Sequence, residues 1–513
     1  DTISVSTFTT SCVINLVAGQ FSTLRILPEP LPTGVTAGTT PTYDGTNALA
    51  IAKLAVGMRV SGAGIAANAT VTAVNTGTVP SKTLRETALH FSGLRQRGLY
   101  GLEFKVQADI TVADFMYRER AVVESAWQLI NENFARHDIT VTQGTATILD
   151  AHTVEVTRFH DTHRLTADYI LLAPGSRPLR PAGIPFDGEI VVDSDDILTL
   201  QAIPRRMVVI GGGVIGCEYA GIFGALGCRV TLVNERERLL VQLDAEVSEA
   251  LRADMTRRLG VHVVLNAMVK EVRVDGADKE RYAVVTLHDG TEIVADCVLY
   301  SIGREGSTHG LGLDKVGVRT NARGFILVDD MFRTTVPSIY AAGDAIGFPA
   351  LAATSMEQAR VAMCHAFELK YKERVSPTVP YGIWTIPEIA MIGETEETAR
   401  AKDLPFEVGK ASFRTNPRGQ IIGDLDGFVK LIFRRDDQVL IGCSVVGENA
   451  CEIIHLAAAV IGFGGTIDYF IQGVFNYPTL SDTFKYAAYD GLQRMARRAS
   501  RTMGLPSAVR DDA

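Results

Sequence analysis

The residues whose spacing could do chemistry begin at an apolar run, Met207-Val208-Val209-Ile210, that leads straight into Gly211-x-Gly213-x-x-Gly216. A helix-length later comes a second apolar run, Arg229-Val230-Thr231-Leu232-Val233. Strand, glycine turn, helix and strand in that order predict a dinucleotide-binding unit. The first glycine makes the tight turn, the second lets backbone approach a pyrophosphate, and the third lets helix and strand pack closely. The helix N-terminus then favours the anion. An ordinary glycine-rich turn would share the triplet but not the flanking strands. The end of the second strand usually carries an acid for the ribose 2′-hydroxyl. Here that position is Asn234, followed by Glu235, Arg236 and Arg238. The loop therefore offers a hydroxyl acceptor and guanidinium forks for a 2′-phosphate, which predicts tolerance of both NAD and NADP. A solvated charge run is an equal alternative for Arg238 and a poorer one for Arg236.

Other motifs stand in a fixed order around this unit: Asn75-Thr76-Gly77-Thr78-Val79-Pro80-Ser81-Lys82, Ala173-Pro174-Gly175-Ser176, Gly303-Arg304 and Ala342-Gly343-Asp344. Together with the glycines at 211–216 they resemble the pyridine nucleotide–disulfide oxidoreductase family over residues 75–500. Within it, the stretch 75–101 and Phe475-Asn476-Tyr477-Pro478-Thr479 are most similar to the soluble, Si-specific NAD(P) transhydrogenases. The resemblance implies an α/β fold with two Rossmann-like dinucleotide-binding domains, one for FAD and one for NAD(P), and a C-terminal α+β dimerisation domain. It implies FAD as cofactor, NAD and NADP as substrates, and hydride passed from NADPH through FAD to NAD. A homodimer or higher homo-oligomer follows from the same likeness. So do residue roles: Lys82 beside flavin N5, paired with Glu218, would stabilise negative charge on reduced flavin. Asp344 would hydrogen-bond the ribityl chain, Thr76 would lie near the flavin ring, and Ala173, Gly175, Ser176, Gly303, Arg304 and Gly343 would belong to the cofactor-binding turns.

Departures from the disulfide reductases narrow the chemistry. Those enzymes carry two cysteines five apart before the Pro-Ser-Lys element, where this sequence has Ala73 and Thr78. Their C-terminal His–Glu pair is matched by Tyr477 and Asp482, which makes Tyr477 the candidate catalytic residue there. A tyrosine with its ordinary pKa of about 10 does not replace an imidazole base at neutral pH. Hydride transfer needs neither group, only two rings held in position. Val214 stands where some relatives carry a gating tyrosine, so the nicotinamide pocket is expected to be more open. Two alternatives stay in view: a dihydrolipoyl-dehydrogenase-like disulfide reductase, and an inactive nucleotide-binding fusion protein lacking FAD.

The elements that must position these residues follow from periodicity. Helical spacing covers 81–97 and 113–136, strands fill 139–176, and strand and helix recur through 325–375, with a helix over 354–371. The block from 376 alternates strands (428–434, 439–447) with helices (449–463, 482–498). This predicts a first FAD-binding part at 76–203, the NAD(P) domain at 204–324, a second FAD-binding part at 325–375 and the dimerisation domain at 376–513. Residues 1–75 differ from all of these, being rich in Thr, Val, Ala and Gly with only Arg25, Lys53 and Arg59 as bases. They predict a β-rich segment in place of the usual FAD glycine motif. The nearest candidate, Gly62-Ala63-Gly64-Ile65-Ala66-Ala67, lacks the third glycine. Loss of that cradle also takes strands from the flavin domain's sheet and exposes an edge that needs cover.

The remaining candidates read as structure. Cys217 is a small residue suited to helix packing, His365 and His455 lie on apolar helical faces, and Arg494, Arg497, Arg498 and Arg501 form a solvated helix end. Length excludes a single core, since 513 residues far exceed the roughly 250–300 that one core serves. A net charge of -9 gives no overall attraction to nucleic acid or anionic membrane, so small nucleotides must be held by local sites. Seven scattered cysteines have no metal-like or paired spacing and predict reduced thiols. No run approaches the ~18–20 apolar residues of a membrane span, and no basic-then-apolar leader is visible, which predicts a cytoplasmic protein.

Overall fold

A computed structural model of the chain describes residues 12–16, 58–62, 65–71, 77–95, 99, 110–158, 161–277 and 280–502. Two compact units result. The first comprises Asp1–Ser81, Tyr117–Leu179 and Gly303–Val375; the second comprises Lys82–Met116, Arg180–Ile302 and Ser376–Ala513.

The first unit is built on a parallel sheet in the order Cys12–Leu16, Tyr169–Ala173, Ile339–Ala341. Its central strand is Tyr-Ile-Leu-Leu-Ala, apolar almost throughout, as a strand covered on both faces must be. Side chains alternate across it. Ile170 and Leu172 join Ile148, Val154 and Ile339 on one face, while Leu171 joins Tyr340, Ala359 and Ala362 on the other. The antiparallel strands Thr145–Ile148, Thr153–Arg158 and Asp161–Thr166 contribute to the first layer, and the helix Ala352–Ala366 makes the second. The edge expected to need cover is paired: Cys12–Leu16 runs parallel to Tyr169–Ala173, with Ile14 opposite Leu171. Part of the atypical N-terminal segment thus belongs to the sheet. The described residues around Gly62 form two strands and no strand–turn–helix. Met58–Gly62 and Ile65–Val71 pair antiparallel, with Gly62 opposite Ile65.

The second unit contains the unit anticipated around the glycines. Five parallel strands lie in the order His262–Val264, Arg229–Val233, Arg206–Ile210, Cys297–Tyr300, Val191–Val192. The helix Val214–Ala225 is buried over nearly its whole length, which its Ala, Gly and Cys content permits. The helix Ala245–Leu259 starts where the Asp244 carboxylate accepts the Glu246 amide and stops at Gly260, φ 66°. Residues from Ser376 form a five-stranded antiparallel sheet, Tyr381–Ile383, Ile389–Gly393, Leu440–Val446, Phe428–Arg434, Phe406–Ser412, with the helices Ala450–Gly462 and Thr483–Thr502. Phe413, Phe433, Phe470 and Phe484 fill the core of this block. Among the described residues no helix is long and apolar enough to cross a membrane.

Candidate active site

The glycines of the 211–216 turn differ in what a side chain there would meet. A Cβ on Gly216 would lie 1.9 Å from the Gly211 carbonyl oxygen, so helix and strand approach as closely as backbone allows. Gly211 has φ 112°, and a Cβ there would meet the Ser301 carbonyl at 2.7 Å. Gly213 is different, because among the described residues nothing lies within 4 Å of its Cβ position. It caps the helix Val214–Ala225 with extended backbone and no side-chain acceptor. Open space above a helix N-terminus suits an anion such as a pyrophosphate.

Asn234, at the end of the second strand, serves the loop itself. Its Oδ1 accepts the Gly212 amide at 3.1 Å, and its Nδ2 donates to the carbonyls of Arg236 and Arg238 at 3.2 and 3.0 Å. The side chain is buried and its hydrogen-bonding groups are committed to holding turn and loop together. Glu235 and Arg236 are exposed beyond it. Arg238 is half-buried, donates to the Val241 carbonyl and stands 3.5 Å from Glu397.

Lys82 and Glu218 meet as the resemblance implies. The helix Thr78–Ser92 carries Lys82, whose Nζ donates to both Glu218 oxygens at 2.7 and 2.9 Å. Glu218 is 4% exposed on the helix Val214–Ala225, whereas the Lys82 side chain keeps 23% of its surface. A third group fixes the pair, and sequence reasoning missed it. The Trp384 amide donates to Glu218 Oε1 at 3.0 Å, and its ring lies 5.0 Å from Lys82 Nζ. Scarcity could have flagged its ring, since Trp384 is one of only two tryptophans, but nothing in the sequence marks its amide. Glu218 is thereby oriented from two directions, and its charge matches the ammonium that it holds.

A separate cluster lies in the first unit. Ser176 donates its hydroxyl to Asp344 Oδ2 at 2.9 Å, and Arg304 donates to the Ser176 Oγ and carbonyl at 2.8 and 2.7 Å. Ala173 ends the central strand, and Gly175 turns the chain with φ 69°. Gly303 accepts the Leu179 amide, and Gly343, at φ 77°, donates its own amide to Gln358. Asp344 is 3% exposed. Burial raises its carboxyl pKa above the ordinary range, while the Ser176 hydroxyl and the Arg304 charge oppose the rise.

The other expected residues divide. Thr76 and Ala73 lie outside the described residues. Thr78 opens the Thr78–Ser92 helix where the disulfide reductases carry a thiol. Tyr477 is 69% exposed, in the segment after the helix Asp468–Gln472. Val214 is half-buried at the helix start. Cys217 is buried, and its thiol is pushed far up by burial and then by the neighbouring Glu218 charge, so it supplies no thiolate. His365 shares a 2.8 Å hydrogen bond with the Tyr340 hydroxyl; its ring and that of His455 are exposed, not core.

Comparison with known proteins matches this arrangement. Residues 45–366 match the family described as pyridine nucleotide-disulphide oxidoreductase, and residues 379–488 match its dimerisation domain. The first match opens inside the atypical N-terminal segment, ahead of residue 75. A soluble pyridine nucleotide transhydrogenase from Mycobacterium bovis is 44% identical over 82% of this chain and 89% of its own length. One from Yersinia enterocolitica is 37% identical over 82% of this chain and 90% of its own. Among solved structures, LpdA from Mycobacterium tuberculosis superposes with a TM-score of 0.74 at 29% identity, over 80% of this chain and 89% of that one. A cysteine-to-serine mutant of the HOCl-induced flavoprotein disulfide reductase RclA from Escherichia coli gives 0.71 at 25% identity over 80% and 88%. Motif order, glycine geometry and these matches agree: the chain belongs to the pyridine nucleotide-disulphide oxidoreductase family.

Proposed function

We propose that the protein is an FAD-dependent soluble NAD(P) transhydrogenase that passes hydride from NADPH to NAD, and that it works in the cytoplasm as a homodimer. The observation that carries this reading is the Lys82–Glu218 pair, intact at 2.7 Å, with Lys82 on a helix that opens with Thr78 in place of a thiol. Relatives at 37–44% identity bear the transhydrogenase name.

Bound FAD supplies a two-electron relay between one nicotinamide and the next. The Gly211–Gly216 turn holds the NAD(P) pyrophosphate, Glu235 and Arg236 recognise the ribose 2′ position, and Asn234 shapes the loop that presents them. Lys82 places positive charge where reduction builds negative charge, and Glu218 and the Trp384 amide keep that ammonium in place. The residues Ser176, Arg304, Gly343 and Asp344 fit the flavin side: buried Asp344 is an acceptor suited to a ribityl hydroxyl. The domain division at 204, 325 and 376 belongs to the same reading. The six cysteines whose side chains are described are free and buried, which suits a reducing compartment.

One observation favours a rival. Met58–Gly62 and Ile65–Val71 pair antiparallel, and the described residues around them carry no strand–turn–helix of the kind an FAD pyrophosphate uses. Visible absorbance of the purified protein and single-turnover reduction by NADPH decide between the readings. A yellow protein that reduces an NAD analogue with NADPH supports the transhydrogenase, and a colourless protein that still binds NADPH overturns it. In the active protein, Lys82→Met should slow flavin reduction by about tenfold or more. NADPH affinity should change less than about threefold, and equal loss of both would remove Lys82 from the reaction.

A further inference from the structure

The loop after the Arg229–Val233 strand is gripped by the C-terminal block of the same unit. Glu397, in the short helix Glu396–Ala401, uses one oxygen, Oε1, to accept the Ala245 amide at 3.0 Å and to face Arg238 Nη1 at 3.5 Å. The other arm of the same guanidinium donates to the Val241 carbonyl at 3.1 Å. Asp244 reinforces the grip, accepting buried Lys430 at 2.9 Å and the Glu396 amide at 3.4 Å. Two guanidinium groups therefore stand in the loop, one tied to a carboxylate and one, Arg236, exposed.

A site that must take both NAD and NADP needs its attraction for a 2′-phosphate held in check. Two unrestrained guanidiniums beside Glu235 would weight it towards the phosphate. We infer that Glu397 is a specificity-determining positioning residue, which by holding Arg238 keeps that charge from a coenzyme 2′-phosphate. The inference rests on the reading of the 234–238 loop as the adenosine-ribose site. Glu397 acts at a distance from the ligand, through Arg238, and does so from the C-terminal block of the chain.

The test uses the holoenzyme and two fragments that differ only at the 2′ position, 2′,5′-ADP and ADP, titrated calorimetrically. Glu397→Gln keeps an acceptor for the Ala245 amide and removes only the charge. It should tighten 2′,5′-ADP by about threefold to tenfold and leave ADP unchanged. In an Arg238→Met background the same substitution should have no effect on either fragment. Equal shifts for both fragments, or no shift for either, would overturn the inference. Arg236→Met separates its failure from that of the underlying reading. If that variant weakens 2′,5′-ADP while Glu397→Gln changes nothing, the loop does bind the phosphate and only the role of Glu397 falls. If neither substitution alters binding, the loop assignment falls with it.

Discussion

At the scale of single residues, the thiols state most directly what this protein does not use. The cysteines whose side chains are described are all buried and free, and none stands at the position where a disulfide reductase would need one. Cys228 and Cys297 are pushed from 9.0 up to about 12, by burial first and then by neighbouring groups, Asp296 for Cys228 and the adjacent Cys228 for Cys297. A raised folded pKa has a definite sign in stability. Below the unfolded thiol value both states hold the proton and the contribution is fully present; above it only the unfolded chain ionises, so stability falls until the folded pKa is reached. Each thiol can contribute a slope of up to about 1.4 kcal/mol per pH unit in that window. Denaturant unfolding of wild type should therefore lose about 4–5 kcal/mol more between pH 9 and 11 than Cys228→Ala/Cys297→Ala does. Parallel losses in the two proteins would show that these thiols titrate normally. At neutral pH the native protein should leave these six cysteines unreactive to an aromatic disulfide reagent until denaturant is added.

At the scale of elements, the glycine turn separates folding from binding within six residues. The missing side chain at Gly216 is demanded by the protein's own backbone, because a Cβ would collide with the Gly211 carbonyl at 1.9 Å. The missing side chain at Gly213 is demanded by none of the described residues, since none of their atoms lies within 4 Å. Gly216→Ala should lower the thermal midpoint and destabilise by about 1–3 kcal/mol. Gly213→Ala should melt like wild type, yet weaken NADPH about tenfold or more by filling the space over the helix N-terminus. A Gly213→Ala protein with unaltered affinity would mean that no pyrophosphate rests there. The turn was legible because its signal is local: strand, glycines and helix are contiguous, as are the apolar run of Tyr169–Ala173 and the periodicity that placed a helix over 113–136, observed as Val112–Arg136. Trp384 was not legible, because its amide meets Glu218 across 166 residues and backbone donors leave no mark on composition. Asn234 shows the same limit from the other side. Its position suggested a ribose contact, while its three hydrogen bonds to the turn and loop depend on a fold that spacing alone does not reveal.

At the scale of the whole molecule, the N-terminal segment was the least legible part. A strand at Cys12–Leu16 pairs with one at Tyr169–Ala173, and its composition alone does not name a partner so distant in the chain. The C-terminal block poses the opposite case, a surface that does not suit an isolated chain. Phe463 is 95% exposed, Val474 is 96% exposed and Tyr477 is 69% exposed, although the block's interior is a well-filled aromatic core. Large apolar side chains held fully in water forgo about 1.5–3 kcal/mol each relative to burial. A second copy of the chain is the partner expected to cover them, since this block carries the family's dimerisation domain. Phe463→Asp combined with Val474→Asp puts charge where a dry contact would form and leaves the core untouched. Light scattering after size exclusion should give twice the chain mass of 55.4 kDa for wild type and a single chain for the variant, with flavin absorbance and thermal midpoint read on the same samples. A variant that remains dimeric would place the contact elsewhere. A wild type that is monomeric at micromolar concentration would mean that these side chains meet water in the working protein.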